Sequence, residues 1–391
     1  MSAAVAPLAE TTGLPREARQ LAALFVLNNL SVGGSEVKIV RLVNDLQQRG
    51  INAGVCYLNE PHQLRDSLHP NVPVWCLDRR GKFSLAATRA LRRLIVERNA
   101  QVVFAVNSYP TLYVAAATRG LARKPRTVVL MNTTDYPAGE EWRRHVYQRV
   151  MRLLDLTVYG CELQRDRWEG QSPRSTSIAV YNGVDAERFS LEAIGDAGRL
   201  FREKLGIAPG TFLIGGIGRL VPEKNHRVLI DALIELRRRG IDAHVVIAGK
   251  GPCREMLEQR ASNVKEHVSF TGVLEDVRPL LAALDVFVLP SIAETFSNAA
   301  LEAMSMSRPV VLSTAGGSAE MIDSGCEGFL IAPSTDPDEL IRTLMSLHGQ
   351  PALRARMGES ARARVLRQFS WQTMVRSYEK LLHARSVTAH G

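Results

Sequence analysis

The sequence predicts an α/β protein built as two doubly wound parallel-sheet domains, and three observations carry that expectation. The 391 residues exceed what one hydrophobic core usually organises. From residue 21 onward, short apolar runs alternate with stretches of helical periodicity, as in a parallel sheet covered on both faces. The pattern halts in the polar, turn-rich stretch Pro173–Gly210 and then starts again.

In the first half, Leu21–Asn28 reads as a strand leading into Val32-Gly33-Gly34, and Ser35–Arg49 has helical spacing. Asn52–Leu58, Val72–Leu77 and Gln101–Val106 read as further strands. Ser84–Asn99, between the last two, is a basic amphipathic helix. Thr127–Met131 and Leu156–Tyr159 are strands around a helix Gly139–Leu154. Residues 1–20 read as a loose leader, since they lack the basic start and apolar run of a signal peptide.

The second half repeats the scheme. Phe212–Gly218 is a strand ending in glycines, His226–Arg239 a helix, His244–Gly249 a strand and Arg254–Ser262 a helix. Val268–Gly272, Val286–Pro290 and Val310–Ser313 are more strands, each leading into a loop and a helix. With the turn signal Asn182-Gly183-Val184-Asp185 just before it, the boundary falls near residue 190, giving domains 21–190 and 191–370. The helix Trp371–His383, in the terminal segment 371–391, follows the completed second sheet and is expected to cross back onto the first domain. Ligands of such Rossmann-like sheets bind beyond the C-terminal ends of the strands. Two domains facing each other would enclose a central cleft, where charged residues just after strands matter most.

Composition narrows the function classes. Apolar residues make up 46% and charged residues 23%, which excludes disorder, collagen and fibres. No run approaches the roughly 20 apolar residues that span a bilayer. Cys56, Cys76, Cys161, Cys253 and Cys326 are scattered, with no Cys-x-x-Cys pair, so they read as reduced thiols of a cytoplasmic protein. The net charge of +9 is uneven: residues 1–195 carry 25 Lys+Arg against 18 Asp+Glu. Such an excess suits an anionic partner or, equally, a solvated Arg-rich surface.

The chemistry concentrates in Pro290-Ser291-Ile292-Ala293-Glu294-Thr295-Phe296-Ser297-Asn298, a strand end and loop before a helix expected over Ser297–Met306. A helix start presents unpaired N–H groups and partial positive charge, suited to sugar hydroxyls or phosphate. Glu294 and Glu302, eight residues apart, turn through about 800° and would meet different parts of a long ligand. Spacing alone would leave them two solvated glutamates. A second loop, Gly218-Arg219-Leu220 through Lys224-Asn225-His226, puts two cations beside a helix start. That arrangement suits a diphosphate better than a salt bridge. The glycines are not a dinucleotide fingerprint, because Val221 stands where the third glycine would be.

These segments resemble the retaining GT-B-fold glycosyltransferases of family four (glycosyl transferases group 1). The Glu-x7-Glu frame appears as PSIAETFSNAALEAM, with Thr295 where glycine is usual. Gly218-Arg219-Leu220 with Lys224-Asn225, Gly249-Lys250-Gly251-Pro252, Asn182–Asp185 and Gly33-Gly34-Ser35-Glu36 match four further family segments in order, so the likeness runs from residue 21 to about 385. The resemblance implies that Arg219 and Lys224 grip the donor diphosphate and that Glu294 and the Phe296-Ser297-Asn298 backbone hold the transferred sugar. It further implies that Glu302 bonds the ribose and that Val273 and Leu274 lie along the nucleobase. Gly33 and Gly34, with Gly218 and Gly249, bring backbone close to the donor.

One departure stands out. Many relatives carry a His shortly after the strand matching Thr127–Met131; this chain has Asn132 and Asp135 there, which with Asn182 form the expected acceptor side. The resemblance implies no cofactor and no metal, since the nucleoside-diphosphate sugar is a substrate, and no D-x-D metal motif is present. The leading reading is a retaining, metal-independent hexosyltransferase of surface polysaccharide biosynthesis, acting on a glycan or lipid-linked acceptor. It would be cytoplasmic or peripheral on the inner face of the cytoplasmic membrane. An anionic membrane surface is the expected partner of the basic helix Ser84–Asn99, and nucleic acid is not. A nucleotide-sugar epimerase of the same architecture and a degenerate sugar-nucleotide-binding subunit are the alternatives.

Overall fold

The structure, a computed structural model, describes residues 20–132, 140, 142–170 and 176–383. The chain divides into two compact units. The first comprises residues up to Tyr159, Arg165–Val180 and Val375 onward; the second comprises Gly160–Gln164 and Tyr181–Met374. The main division thus falls at Val180/Tyr181, earlier than the residue 190 suggested by the polar break.

In the first unit the elements run β1 (Ala23–Leu27), α1 (Gly34–Gln48), β2 (Ala53–Tyr57), β3 (Val74–Cys76), α2 (Leu85–Glu97), β4 (Val102–Val106) and α3 (Ser108–Thr118). There follow β5 (Arg126–Met131), α4 (Trp142–Met151), β6 (Leu156–Tyr159), α5 (Glu162–Glu169) and β7 (Ser177–Ala179). The strands form one parallel sheet in the order β3-β2-β1-β4-β5-β6-β7. Every residue of β1, β2 and β4 is buried, because helices cover both faces and both must be apolar. Phe25 stacks on Phe104 at 4.5 Å between centroids.

The second unit contains α6 (Ala197–Lys204), β8 (Phe212–Ile217), α7 (His226–Arg238), β9 (Ala243–Ala248), α8 (Arg254–Arg260), β10 (Val268–Gly272), α9 (Arg278–Ala283) and β11 (Val286–Leu289). After these come α10 (Asn298–Ser305), β12 (Val310–Ser313), α11 (Ser318–Met321), β13 (Gly328–Ile331), α12 (Asp338–His348), α13 (Pro351–Arg364) and α14 (Trp371–His383). Its parallel sheet has the order β10-β9-β8-β11-β12-β13. Strand order therefore reverses between β8 and β11, and the loops leaving those two strands diverge to form a crevice.

The last helix is shared between the units. Trp371 donates its backbone N–H to Val184 at 2.7 Å in the second unit. Beyond Val375 the helix belongs to the first unit, where Tyr378 is buried 6.3 Å from the Phe104 ring and Arg126 donates to the Leu381 carbonyl.

Helix α2 behaves differently from the interfacial helix expected over Ser84–Asn99. Ala87, Leu91, Leu94 and Ile95 of its apolar stripe are buried in the first unit's core. Arg92 donates to the carbonyls of Ala117 and Arg119, at the end of α3. The periodicity was that of a helix lying on a sheet, which has the same moment as one lying on a membrane.

Candidate active site at the switch point of the second sheet

The site grows from two neighbouring strand ends. Leaving β8, the chain passes Gly218 and Arg219, forms a 3₁₀ turn over Pro222–Lys224, and enters α7 through Asn225. Asn225 has φ 53° and ψ 34°, a left-handed conformation that asparagine tolerates better than most residues. Its buried side chain donates to the carbonyls of Pro290 (3.1 Å) and Ser334 (2.9 Å), beyond β11 and β13. Ile292 completes the stitching by donating its N–H to the Glu223 carbonyl at 2.8 Å. The turn after β8 is thus bolted onto the loop after β11.

That bolt sets the catalytic candidates side by side. Lys224 runs its stem over Gly218, 3.6 Å from where a Cβ would stand, and its ammonium pairs with Glu294. Both side chains are mostly buried, at 17% and 12% exposure. The lysine is therefore ion-paired here, where the sequence pattern had favoured two cations awaiting a diphosphate. Arg219 is exposed in the same loop, leaving a guanidinium open to an anion. His226 lies beneath Gly216 with neither ring nitrogen hydrogen-bonded; burial, then the Lys224 charge, hold it down at about 4 and so neutral.

The Glu294 loop is braced from below. Gly316 has φ 58°, and a Cβ there would overlap the Glu294 carbonyl oxygen. Gly317 donates its N–H to Thr295 at 2.7 Å. Thr295, at the position where glycine is usual, also receives a contact from Cys161 Sγ at 3.5 Å through its carbonyl. Phe296 is buried against Tyr181 and Phe369, with ring centroids 5.1 and 5.4 Å away, so only its backbone can face a ligand. Ser297 caps α10 by accepting from Ala300 N–H at 3.3 Å, which takes up one of the helix-start donors. Asn298 is exposed at the first helical position.

Glu302 sits one turn further into α10. Burial pushes its carboxyl up to about 7, and Arg188 pulls weakly the other way. On the β9 side, Gly249 has φ 144° and lies so close to Gly218 that a Cβ would overlap the Gly218 carbonyl oxygen. Val273 is exposed, while Leu274 packs into the core, so only the first of this pair offers its side chain. Asn182, assigned to the acceptor side, lies in the second unit and donates to the Phe296 carbonyl at 3.3 Å.

Gly33, Gly34 and Asn132 belong to the first unit. Gly33 caps α1 and Gly34 opens it, with open space around the latter. Asn132, just after β5, accepts from Lys38 Nζ at 3.0 Å and donates its N–H to Asn107 Oδ1 at 3.0 Å. Burial lowers Lys38 to about 8, with Glu36 opposing. Asp135 lies outside the described residues.

Comparison with known proteins decides the family. The Glycosyltransferase Family 4 model matches residues 32–188, and the Glycosyl transferases group 1 model matches residues 211–350. A GDP-mannose-dependent alpha-(1-6)-phosphatidylinositol monomannoside mannosyltransferase of Mycolicibacterium smegmatis is 30% identical over 75% of this chain and 79% of its own length. The chain belongs to glycosyltransferase family 4. The putative glycosyltransferase EpsF of Bacillus subtilis is 29% identical over 77% of this chain and 81% of its own length. The crystal structure of Anabaena Alr3699/HepE in complex with UDP superposes with a TM-score of 0.82 at 21% identity, covering 92% of this chain and 99% of that one. The likeness is one of fold, GT-B, and agrees with the two parallel sheets.

In this family 4 glycosyltransferase, four contributors to the site had no role in the sequence reading: Asn225 and His226, quoted there only as part of the Lys224-Asn225-His226 loop, and the Gly316-Gly317 pair. Only the left-handed tolerance of Asn and the Gly-Gly dipeptide could have flagged them. Chemically, the loops offer a free guanidinium, an ammonium that an anion can draw from a carboxylate, and a carboxylate then released for hydroxyl groups. Those are the elements needed to hold and discharge a sugar diphosphate.

Proposed function

We propose that the chain is a retaining, metal-independent hexosyltransferase that moves a sugar from a nucleoside diphosphate to a glycan or lipid-linked acceptor, in surface polysaccharide biosynthesis. The observation that carries the reading is the Lys224–Glu294 pair at the switch point, with Arg219 open beside it. On donor binding the diphosphate draws Lys224 and Arg219, and Glu294 turns to the sugar hydroxyls. The two cations neutralise the leaving phosphate, and a phosphate oxygen takes the acceptor's proton; placement and charge stabilisation do the rest. A UDP-glucose complex of the Anabaena protein and the GDP-mannose dependence named for the mycolicibacterial relative support a sugar nucleotide as donor. The phosphatidylinositol acceptor in the latter name supports a lipid-linked one. The basic first half favours an anionic membrane surface as the place of work, on the inner face of the cytoplasmic membrane.

A thermal-shift panel of UDP-, GDP- and ADP-sugars identifies the donor, since a bound ligand raises apparent stability. Product analysis with that donor then separates the readings. A new α-linked glycoside with free nucleotide is expected, undiminished by EDTA. An epimerised sugar would make the protein an epimerase; binding without turnover would make it a binding subunit. Loss of activity in EDTA with recovery in manganese would overturn metal independence.

A further inference from the structure

Ala87, Leu91, Leu94 and Ile95 of α2 are spent inside the core and, of its large apolar side chains, only Leu85 and Val96 stay exposed, so α2 offers a membrane no continuous apolar face. The search for one leads to α4 and the turn after it. Trp142, Val146 and Leu153 are exposed at 62%, 41% and 67%, although each is a large apolar side chain. Trp142 and Val146, four residues apart, share one side of α4, and Leu153 lies in the turn after it. Arg149 is exposed too, as are His145 and Arg152. The opposite side is accounted for: Tyr147 and Met151 are buried in the first unit's core. Single exposed apolar residues need no explanation; a tryptophan and a valine on one helix face, with a leucine in the turn just beyond, do.

We infer that this face of α4 is an interfacial anchor for an anionic lipid surface. Charge names the partner. From Trp142 through Leu154 the sequence WRRHVYQRVMRLL contains four arginines and a histidine and no acidic residue. Of the described neighbouring acids, Glu140 pairs with Arg143 at 2.6 Å and Asp155 pairs with Lys124 at 3.3 Å; Glu141 lies outside the described residues. The exposed Arg149 and Arg152 therefore face solvent beside an apolar stripe. An indole at the edge of such a stripe suits the headgroup layer, with its ring among acyl chains and its N–H in polar surroundings. Valine and leucine would enter the acyl boundary while the arginines meet lipid phosphates. A second copy of the chain would instead bring the same arginines against each other, which disfavours it.

The anchor gives a place to the membrane partner proposed above, but it is read by lipid binding alone, so it can fail without touching the glycosyl-transfer reading, and the reverse. The full chain is mixed with vesicles of phosphatidylglycerol and phosphatidylethanolamine, and with phosphatidylcholine vesicles, at low and high salt, and sedimented. Wild type should bind the anionic vesicles at low salt at least tenfold more than the neutral ones. Trp142→Ser/Val146→Ser should lose at least tenfold, and Arg149→Gln/Arg152→Gln should remove the salt dependence. Phe83→Ser/Leu85→Ser, which alters exposed apolar residues at the start of α2, should bind as wild type. Tryptophan fluorescence adds a local signal: Trp168 and Trp371 are buried and Trp75 is half-buried, and a blue shift on vesicle addition that Trp142→Phe abolishes comes from Trp142. All substituted side chains are exposed, and unchanged melting temperatures verify folding. Wild-type binding by the α4 variants, or no binding by wild type, overturns the inference. So does light scattering that shows a dimer which Trp142→Ser/Val146→Ser turns into a monomer, since the face would then be a self-association surface.

Discussion

Lys224 and Glu294 stand 70 residues apart in the sequence and share an ion pair across the crevice between β8 and β11. The pair couples the two roles assigned to them. While the site is empty, each charge satisfies the other in a place where neither is well hydrated. In the proposed reaction a diphosphate entering beside Arg219 would compete for the ammonium, and its arrival would free the carboxylate for the sugar. Donor binding and activation of Glu294 would then be one event.

Arg219→Ala and Lys224→Ala should each slow turnover at saturating donor by at least about tenfold, about 1.4 kcal/mol in barrier. They should differ in stability. Arg219 is exposed, so its loss leaves the melting temperature unchanged. Losing Lys224 strands a mostly buried carboxylate and costs on the order of 1–3 kcal/mol. Calorimetry alongside steady-state kinetics checks both; wild-type turnover in the two variants would remove them from catalysis.

The two glutamates should separate by kinetic parameter and by pH. If Glu294 meets the reacting sugar and Glu302 the ribose, as proposed, Glu294→Gln should lower kcat, whereas Glu302→Gln should mainly raise the donor KM. Only the ionised Glu302 accepts strongly from ribose hydroxyls, so wild-type donor KM should rise as pH falls below about 7, and Glu302→Gln should lose that dependence. Stability runs the other way. The native carboxyl holds its proton up to about 7 against the ordinary 4.5, so the native state binds more protons in that window and stability falls as pH rises through it. Glu302→Gln should therefore gain on wild type from pH 4.5 to 7 and keep a margin of about 1–3 kcal/mol above it. The opposite kcat ranking would show the assignment along the donor to be inverted, and a margin independent of pH would overturn the raised Glu302 carboxyl.

Much of this frame could be read from the sequence because buried parallel strands are apolar on both faces and announce themselves as short runs. Leu156–Tyr159, Val268–Gly272 and Val310–Ser313 were bounded to the residue. Helix α3 was not seen: SYPTLYVAAAT is buried along most of its circumference, and an all-round apolar segment has no helical period to detect. Strand β7 is three residues long at a sheet edge. In the site, Arg219, Lys224, Glu294 and Glu302 were visible because they fall in ordered motifs. Asn225 falls in the same motif, but its bracing role was not legible, because its partners Pro290 and Ser334 lie 65 and 109 residues away and only folding brings them together. The basic helix Ser84–Asn99 shows the limit of periodicity, which finds an apolar stripe but not what covers it.

Lys38 offers a test of the acceptor side. Burial lowers its native pKa to about 8 from the ordinary 10.5, so charging it in the native state costs free energy at neutral pH. Stability from this group is complete above 10.5 and is lost as pH falls through 8. In Lys38→Met, the rise of melting temperature between pH 8 and 10.5 should flatten. If Lys38 holds Asn132 for the acceptor, the same variant should raise the acceptor KM at least about fivefold, about 1 kcal/mol, with donor KM unchanged. An altered donor KM with normal acceptor KM would move Lys38 to the donor's side.

Asn225 touches no ligand in this account; it is a positioning residue. Its amide holds the β8 turn to the strand ends beyond β11 and β13, and its left-handed backbone lets Lys224 point back toward Glu294. Asn225→Gly keeps the backbone freedom and loses both amide bonds, while Asn225→Asp keeps the shape and turns a carboxylate oxygen toward two carbonyls. Each should cost about 1–3 kcal/mol of stability, because the Pro290 and Ser334 carbonyls lose a donor. A purely structural role would end there, with normal kcat well below the melting temperature. The positioning role adds a fall in kcat of roughly tenfold, about 1.4 kcal/mol, for Asn225→Gly at a temperature where it is fully folded. It also dictates how the effects combine. If Asn225 acts by placing Lys224, removing both residues should be little worse for kcat than Lys224→Ala alone, because there is no longer an ammonium to place. Independent roles would multiply the two losses. A double-mutant cycle on kcat decides between them, and full additivity would take Asn225 out of the mechanism.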